Sequence, residues 1–234
     1  MPFETDDRFI CLAHRGASGY EPENTLRSFS RALELGARWV EFDVRIVEDE
    51  LVVFHDRTLS RRAGVLGVIE KQKLSRIRTL DVGKGEKIPL LSEVLTLIKG
   101  RARAQIELKG PGTGEKTAHY LNNLILKGWG PDTFLVSSFD HEEILEFIKY
   151  APTIPVGLLL YGYPLHTIAM AQAIQAYSVH LNLEAVSPKR VQAIHEAGFK
   201  VLVYTVNEPS DIAAMKALGV DGLFSDFPDR VLNE

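Results

Sequence analysis

Only six residues, RIVEDE (45–50), join the strand-like runs RWVEFDV (38–44) and LVVFH (51–55). A parallel crossover needs a dozen or more residues, so this link is a hairpin and the second run returns antiparallel. The rest of the chain alternates. Further strand patterns occur at FICLAH (9–14), AQIEL (104–108), TFLVSS (133–138), VGLLL (156–160), YSVHLN (177–182), KVLVYTV (200–206) and DGLFS (221–225), with helical patterns in most of the gaps. Setting the returning strand aside leaves eight strands, each followed by a helix. This predicts an α/β fold: a (β/α)8 TIM barrel with a β-hairpin extension after strand 2. The stretch from 57 to about 90 has no clear strand and reads as a small charged insertion beside the active-site face. No composition break divides residues 1–234, so they read as a single barrel domain. A doubly wound open sheet is the competing architecture, but HRGASGY after the first strand is not its G-x-G-x-x-G fingerprint.

Helix punctuation agrees with this layout. Asn24 is placed to cap a helix whose stripe of Leu26, Phe29 and Leu33 ends at Gly36. Asp140 and Glu143 have capping-box spacing, and Ser187-Pro188 opens a helix that Gly198 closes.

Composition excludes several classes of function. A net charge of −4 argues against a nucleic-acid surface held by bulk electrostatics. The single cysteine, Cys11, cannot form an internal disulfide, which fits a reducing compartment. The start MPFETDDRFI has no signal-peptide layout, and no apolar run is long enough for a membrane span. A cytoplasmic protein without stable membrane insertion is expected. The oligomeric state is left open.

In a barrel of this kind, functional side chains sit at the C-terminal ends of strands and in the loops that follow. That filter selects His14 and Arg15 after the first strand, Glu41 and Asp43 in EFDV, His55 at the end of the hairpin, and Glu107 and Lys109 in IELKG. Glu41 and Asp43 are two apart and share one strand face, as do Glu107 and Lys109. Two unit charges about 4 Å apart repel by roughly 4 kcal/mol at an effective dielectric near 20. Three converging carboxylates must therefore be protonated, paired with cations or bound to a metal. Hard oxygen ligands with no cysteine nearby favour Mg²⁺ or Ca²⁺ over zinc. Two strand-end histidines are suited to acid–base work, and Arg15 and Lys109 to holding a phosphate. Lys109 as a Schiff-base nucleophile is the less favoured reading, because three nearby carboxylates raise its pKa. His180 is a candidate for lining the pocket, and Phe139, Tyr161, Tyr163 and Tyr204 for walling it.

AHRG followed by PENT, then EFDV, VVFHD, IELK, YTVN and GVDGLFSDFP resembles, in order, the pattern of the glycerophosphodiester phosphodiesterase family. The resemblance runs from about residue 12 to 228, and its front half is the more specific. It implies a (β/α)8-barrel, divalent-metal phosphodiesterase that cleaves a small-molecule glycerophosphodiester to glycerol 3-phosphate and an alcohol. By the same resemblance Glu41, Asp43 and Glu107 are metal ligands, and His14 and His55 are the acid–base pair. Arg15 and Lys109 contact phosphate, and Glu21 and Asn24 contribute from the first loop. A glycerol hydroxyl attacking first, to give a cyclic phosphate that water opens, also follows from it. The chain departs from the pattern twice. VEDE stands where the family often has T-x-D-G, and YTVN where it usually has W-T-V-N, so Tyr204 is expected as a smaller substrate wall bearing a hydroxyl. Two other readings compete: a lysophospholipase D-like enzyme acting on a longer lipid, and a barrel that binds phosphodiesters without turnover.

Overall fold

Eight parallel strands form a ring because the first pairs with both the second and the last: Ala13 lies opposite Val40 on one side and Ser225 on the other. The computed structural model describes residues 9–233; residues 1–8, which carry most of the stretch read as lacking a signal peptide, lie outside them. In chain order the strands are β1 (Ile10–Ala13), β2 (Trp39–Val47), β3 (Glu50–Val53), β4 (Arg103–Leu108) and β5 (Phe134–Ser138). β6 (Val156–Leu160), β7 (Ser178–Asn182), β8 (Lys200–Tyr204) and β9 (Gly222–Ser225) complete them. Around the barrel the order is β1-β9-β8-β7-β6-β5-β4-β2, closed by the β1–β2 pairing. β3 runs antiparallel on β2 alone, so the expected barrel with a hairpin extension is what forms.

The hairpin is tighter than its sequence suggested. β2 continues through Ile46 and Val47, and only Glu48 and Asp49 form the turn, with Glu48 at φ 56°. The reason is burial. Val47 packs into a separate apolar cluster with Val52, Phe54, Leu59, Ile69, Ile77 and Ile88, which lies beneath the hairpin and the insertion.

Ten α-helices are found among the described residues. α1 is Leu26–Glu34; α2 (Ser60–Ala63) and α3 (Leu74–Ile77) belong to the insertion; α4 is Leu91–Ile98 and α5 Thr113–Ile125. α6 (His141–Tyr150), α7 (Thr167–Ala173), α8 (Pro188–Glu196), α9 (Pro209–Ala217) and α10 (Pro228–Leu232) follow. α1 is not capped by Asn24. Thr25 caps it, in a reciprocal box with Ser28, because Asn24 sits at φ 57° with its amide turned inward. α1 buries Phe29 against Phe42 of β2 with ring centroids 5.6 Å apart, a burial worth about 1.5–3 kcal/mol for such a side chain.

Asp140 caps α6 through the Glu142 N–H, but Glu143 does not complete the expected box. Its buried carboxylate instead accepts from the N–H groups of Gly112 and Gly114, at 2.8 and 2.6 Å, at the start of α5. A helix N-terminus offers unpaired N–H groups and the positive end of the dipole, so it competes for that charge and wins. Ser187 caps α8 as expected, and Gly198 follows its end at φ 87°.

Inside the barrel, Ile10, Leu12, Trp39, Leu135, Leu202 and Phe224 form an apolar cluster, from which Phe224 reaches the cavity above. The C-terminal half is polar, and it holds the site. No helix among the described residues is long and apolar enough to cross a membrane.

Candidate active site

β2 and β4 are neighbours in register, with Asp43 opposite Glu107, and this pairing gathers the three acids. Glu41, Asp43 and Glu107 each present an oxygen such that all three lie within 4.8 Å of one another. All three are buried. Burial and the neighbouring Asp43 push the Glu41 carboxyl well above its ordinary range, and the same causes raise Glu107 to about 7. Burial also opposes ionisation of Asp43, but Lys109, Arg15, His55 and the Asn24 amide outweigh it and hold Asp43 below the usual carboxylate range. Burial and mutual repulsion thus both work against full ionisation of the cluster. Asp43 Oδ1 and Glu107 Oε1 both face the Lys109 ammonium, and carboxylate oxygens gathered in this way are the hard donors that a divalent ion takes.

Two cations line the approach. The Arg15 backbone N–H donates to Glu41 at 2.7 Å, while its guanidinium meets Glu23 at 3.0 Å and Asp43 at 3.6 Å. Arg15 Nε is buried and turned toward Asp43 Oδ2, 3.6 Å away, too far for a hydrogen bond. Lys109 contacts Glu107 and lies 3.4 Å from Asp43. Burial lowers its pKa, but Asp43, Glu107 and Glu41 raise it further, so it stays an ammonium and not a Schiff-base nucleophile.

Each histidine has its own carboxylate. His14 Nδ1 lies 2.6 Å from Asp226, which also accepts from Ser18 and Asn207. Burial opposes ionisation of Asp226, yet those partners take its pKa to about 2. His55 Nδ1 lies 2.7 Å from Asp56. For His55, burial is the first cause of a lowered pKa, with Asp43 opposing it. A bond at Nδ1 fixes each ring and leaves Nε2 as the free nitrogen.

His14, Arg15, Glu41, His55, Glu107 and Lys109 line one cavity of about 480 Å³ at the C-terminal mouth of the barrel, and the Tyr204 ring lines it too. Phe139 and Tyr161 stack at 3.9 Å on its rim, and His180 lies on its floor. Tyr163 does not reach it; its ring packs under Arg190 at 5.1 Å. The Tyr204 hydroxyl is not offered to a ligand, because it donates to the Leu160 carbonyl of β6. Asn24 stands behind the site, its Nδ2 donating to Asp43 Oδ2 at 2.8 Å. Glu21, expected to contribute, is held away from the cavity by Arg27 at 2.6 Å and Lys84 at 2.8 Å.

Sequence reasoning assigned no role to Asp226, Asn207 or Arg61, and weighed Glu23 only as a partner for Arg15, which it is. Asp226 and Asn207 follow β9 and β8, so the strand-end filter that found His14 reaches both. Arg61 and its pairing with Glu23 had no such signal, since it depends on how the insertion folds back.

The glycerophosphoryl diester phosphodiesterase family pattern matches residues 14–230. The chain belongs to this family. As a member it is a phosphoric diester hydrolase. It is 34% identical to a glycerophosphodiester phosphodiesterase of Caldanaerobacter subterraneus over 96% of both chains, and 33% identical to one of Bacillus altitudinis over 94% of this chain and 96% of that one. Among solved structures, an Oleispira antarctica phosphodiesterase in complex with the product sn-glycerol-3-phosphate superposes with a TM-score of 0.89. It is 31% identical and the match covers 95% of this chain and 94% of that one.

Proposed function

We propose that this family member hydrolyses glycerophosphodiesters to glycerol 3-phosphate and an alcohol, in a reaction that depends on one divalent ion, Mg²⁺ or Ca²⁺. The observation that carries the reading is the arrangement in one cavity of three carboxylates within 4.8 Å and two histidines, each oriented by a separate carboxylate. Glu41, Asp43 and Glu107 would hold the ion, which when bound supplies Lewis acidity to the phosphoryl oxygens.

The remaining work falls to the chain. Arg15 and Lys109, both lining the cavity, hold the phosphate, Arg15 as a guanidinium fork and Lys109 as a point charge. His55, whose lowered pKa favours the neutral ring, takes the proton of the attacking hydroxyl for in-line displacement at phosphorus. His14, held by Asp226, gives a proton to the leaving alcohol as the cyclic phosphate forms. Water, losing its proton to His14, then opens the ring while His55 reprotonates the glycerol oxygen, giving glycerol 3-phosphate. Asn24 keeps Asp43 oriented, a supporting role.

A panel of glycerophosphodiesters assayed with Mg²⁺, Ca²⁺ or chelator tests the reading. Product should form only with metal, and His14→Ala and His55→Ala should each lower turnover at least about a hundredfold. Ligand binding without product would favour the binding barrel instead. The exposed Tyr161 and Leu165, 81% and 98% accessible, lend the longer-lipid reading its one structural support. Faster turnover of a lysophospholipid than of glycerophosphocholine would establish it.

A further inference from the structure

His180 is fully buried in β7, on the inner face of the barrel, and the proposed chemistry makes no use of it. Its Nε2 lies 2.8 Å from the Ser178 hydroxyl, so one ring nitrogen is satisfied. Its Nδ1 is buried and has no partner among the described residues. A core position that needed only volume would carry an apolar side chain, because an unmet buried polar group is costly. The strand beside it makes room for this ring: a Cβ on Gly157 of β6 would stand 2.4 Å from His180 Nε2. Burial depresses the His180 pKa to about 3, so the ring is neutral, with one donor and one acceptor nitrogen.

The surroundings specify the kind of ligand. Gln105 Nε2 donates to Ser137 Oγ at 2.7 Å on the same floor, which leaves the Ser137 O–H available. His180, Ser178, Gln105 and Ser137 carry no charge, so they suit a hydroxyl and not an anion. Gln105 lies two residues before Glu107 on β4, a separation of roughly 6.5 Å along a strand. An extended glyceryl group spans roughly 6 Å from phosphorus to its distal hydroxyl at bond lengths near 1.5 Å. A phosphate at the level of Glu107 would thus place that hydroxyl one layer down.

We infer that His180 and Ser137 form a neutral subsite at the floor of the cavity that binds the distal hydroxyl of the glyceryl group, making His180 a specificity residue. This rests on the glycerophosphodiester reading.

The test compares glycerophosphocholine with 2-hydroxypropyl phosphocholine, which lacks only the distal hydroxyl, using wild type, His180→Phe and His180→Asn. Wild type should favour glycerophosphocholine at least about tenfold in kcat/KM, mainly through KM. His180→Phe should lose about that factor on glycerophosphocholine and less than about twofold on the analogue. His180→Asn, which keeps a polar group near Nδ1, should retain part of the preference, so a folding defect in the Phe variant does not decide the outcome. Equal losses on both substrates, or no preference in wild type, overturn the subsite. Turnover of neither substrate by wild type refutes the glycerophosphodiester reading, and the subsite with it.

Discussion

Arg61 grips Asp56 with two prongs, Nε to Oδ2 at 2.6 Å and Nη2 to Oδ1 at 2.8 Å. The same guanidinium also donates to both oxygens of Glu23, at 2.6 and 3.0 Å, and Glu23 in turn pairs with Arg15. A residue of the insertion thereby ties the carboxylate behind His55 to Arg15, the arginine proposed to hold the phosphate. Arg61 is 47% exposed, so its bonds should contribute under about 1 kcal/mol to stability. Its effect on geometry should be larger. Arg61→Ala is expected to lower kcat about tenfold with little change in melting temperature, and Arg61→Lys to recover part of that. A kcat within twofold of wild type in Arg61→Ala would show that the link does not serve catalysis.

Asp226 gives a signature at low pH. Its pKa falls from an ordinary 3.8 to about 2 on folding. A depressed carboxylate contributes stability that is full above the unfolded value and is lost as pH falls through the folded one, here between about 4 and 2. One pKa unit corresponds to about 1.4 kcal/mol, and partial exposure reduces the sum to about 1–2 kcal/mol. Asp226→Asn should remove this component at pH 7 and make the loss between pH 4 and 2 correspondingly smaller in urea unfolding. An unchanged pH dependence would contradict the assignment.

Metal should stabilise the folded chain. At a hundred times its Kd, an ion that binds only the native state adds about 2.7 kcal/mol, visible as a rise in melting temperature that chelator reverses. Asp43→Asn should lose both this rise and the activity. Glu41→Gln should lose them too, yet cost little stability without metal, because burial and Asp43 already favour the protonated carboxyl that glutamine mimics. A large loss of metal-free stability in Glu41→Gln would argue that Glu41 is structurally ionised.

Glu143 provides a control away from the chemistry. Removing its carboxylate leaves the Gly112 and Gly114 N–H groups without that partner, a cost of about 1–3 kcal/mol. Glu143→Ala should melt earlier while its kcat per folded molecule stays near wild type. A selective fall in kcat would instead link α5 and α6 to the site.

Most of the frame was legible because it follows local rules. Strand periodicity located all nine strands, and a link too short for a crossover set the hairpin. Glu41 and Asp43 share a face by the period of two, and their register with Glu107 completes the cluster of three acids. What was missed depends on competition between distant groups. Asn24 looked like a helix cap, but Asp43 in the barrel takes its amide and Thr25 caps instead. Glu143 had capping-box spacing, yet the start of α5 takes its carboxylate. Glu21 sits in the right loop but is drawn outward by Arg27 and by Lys84 from the insertion. In each case the local pattern named the residue and tertiary packing chose its partner.

The bond between His14 and Asp226 spans 212 residues and crosses the seam where β1 meets β9. A chain leaving the ribosome presents His14, the three acids and His55 long before the aspartate that steadies the first histidine. The pairing of β9 with β1 that closes the barrel is thus also what brings the Asp226 carboxylate to His14, so a chain clipped before β9 is expected to leave that ring without its partner.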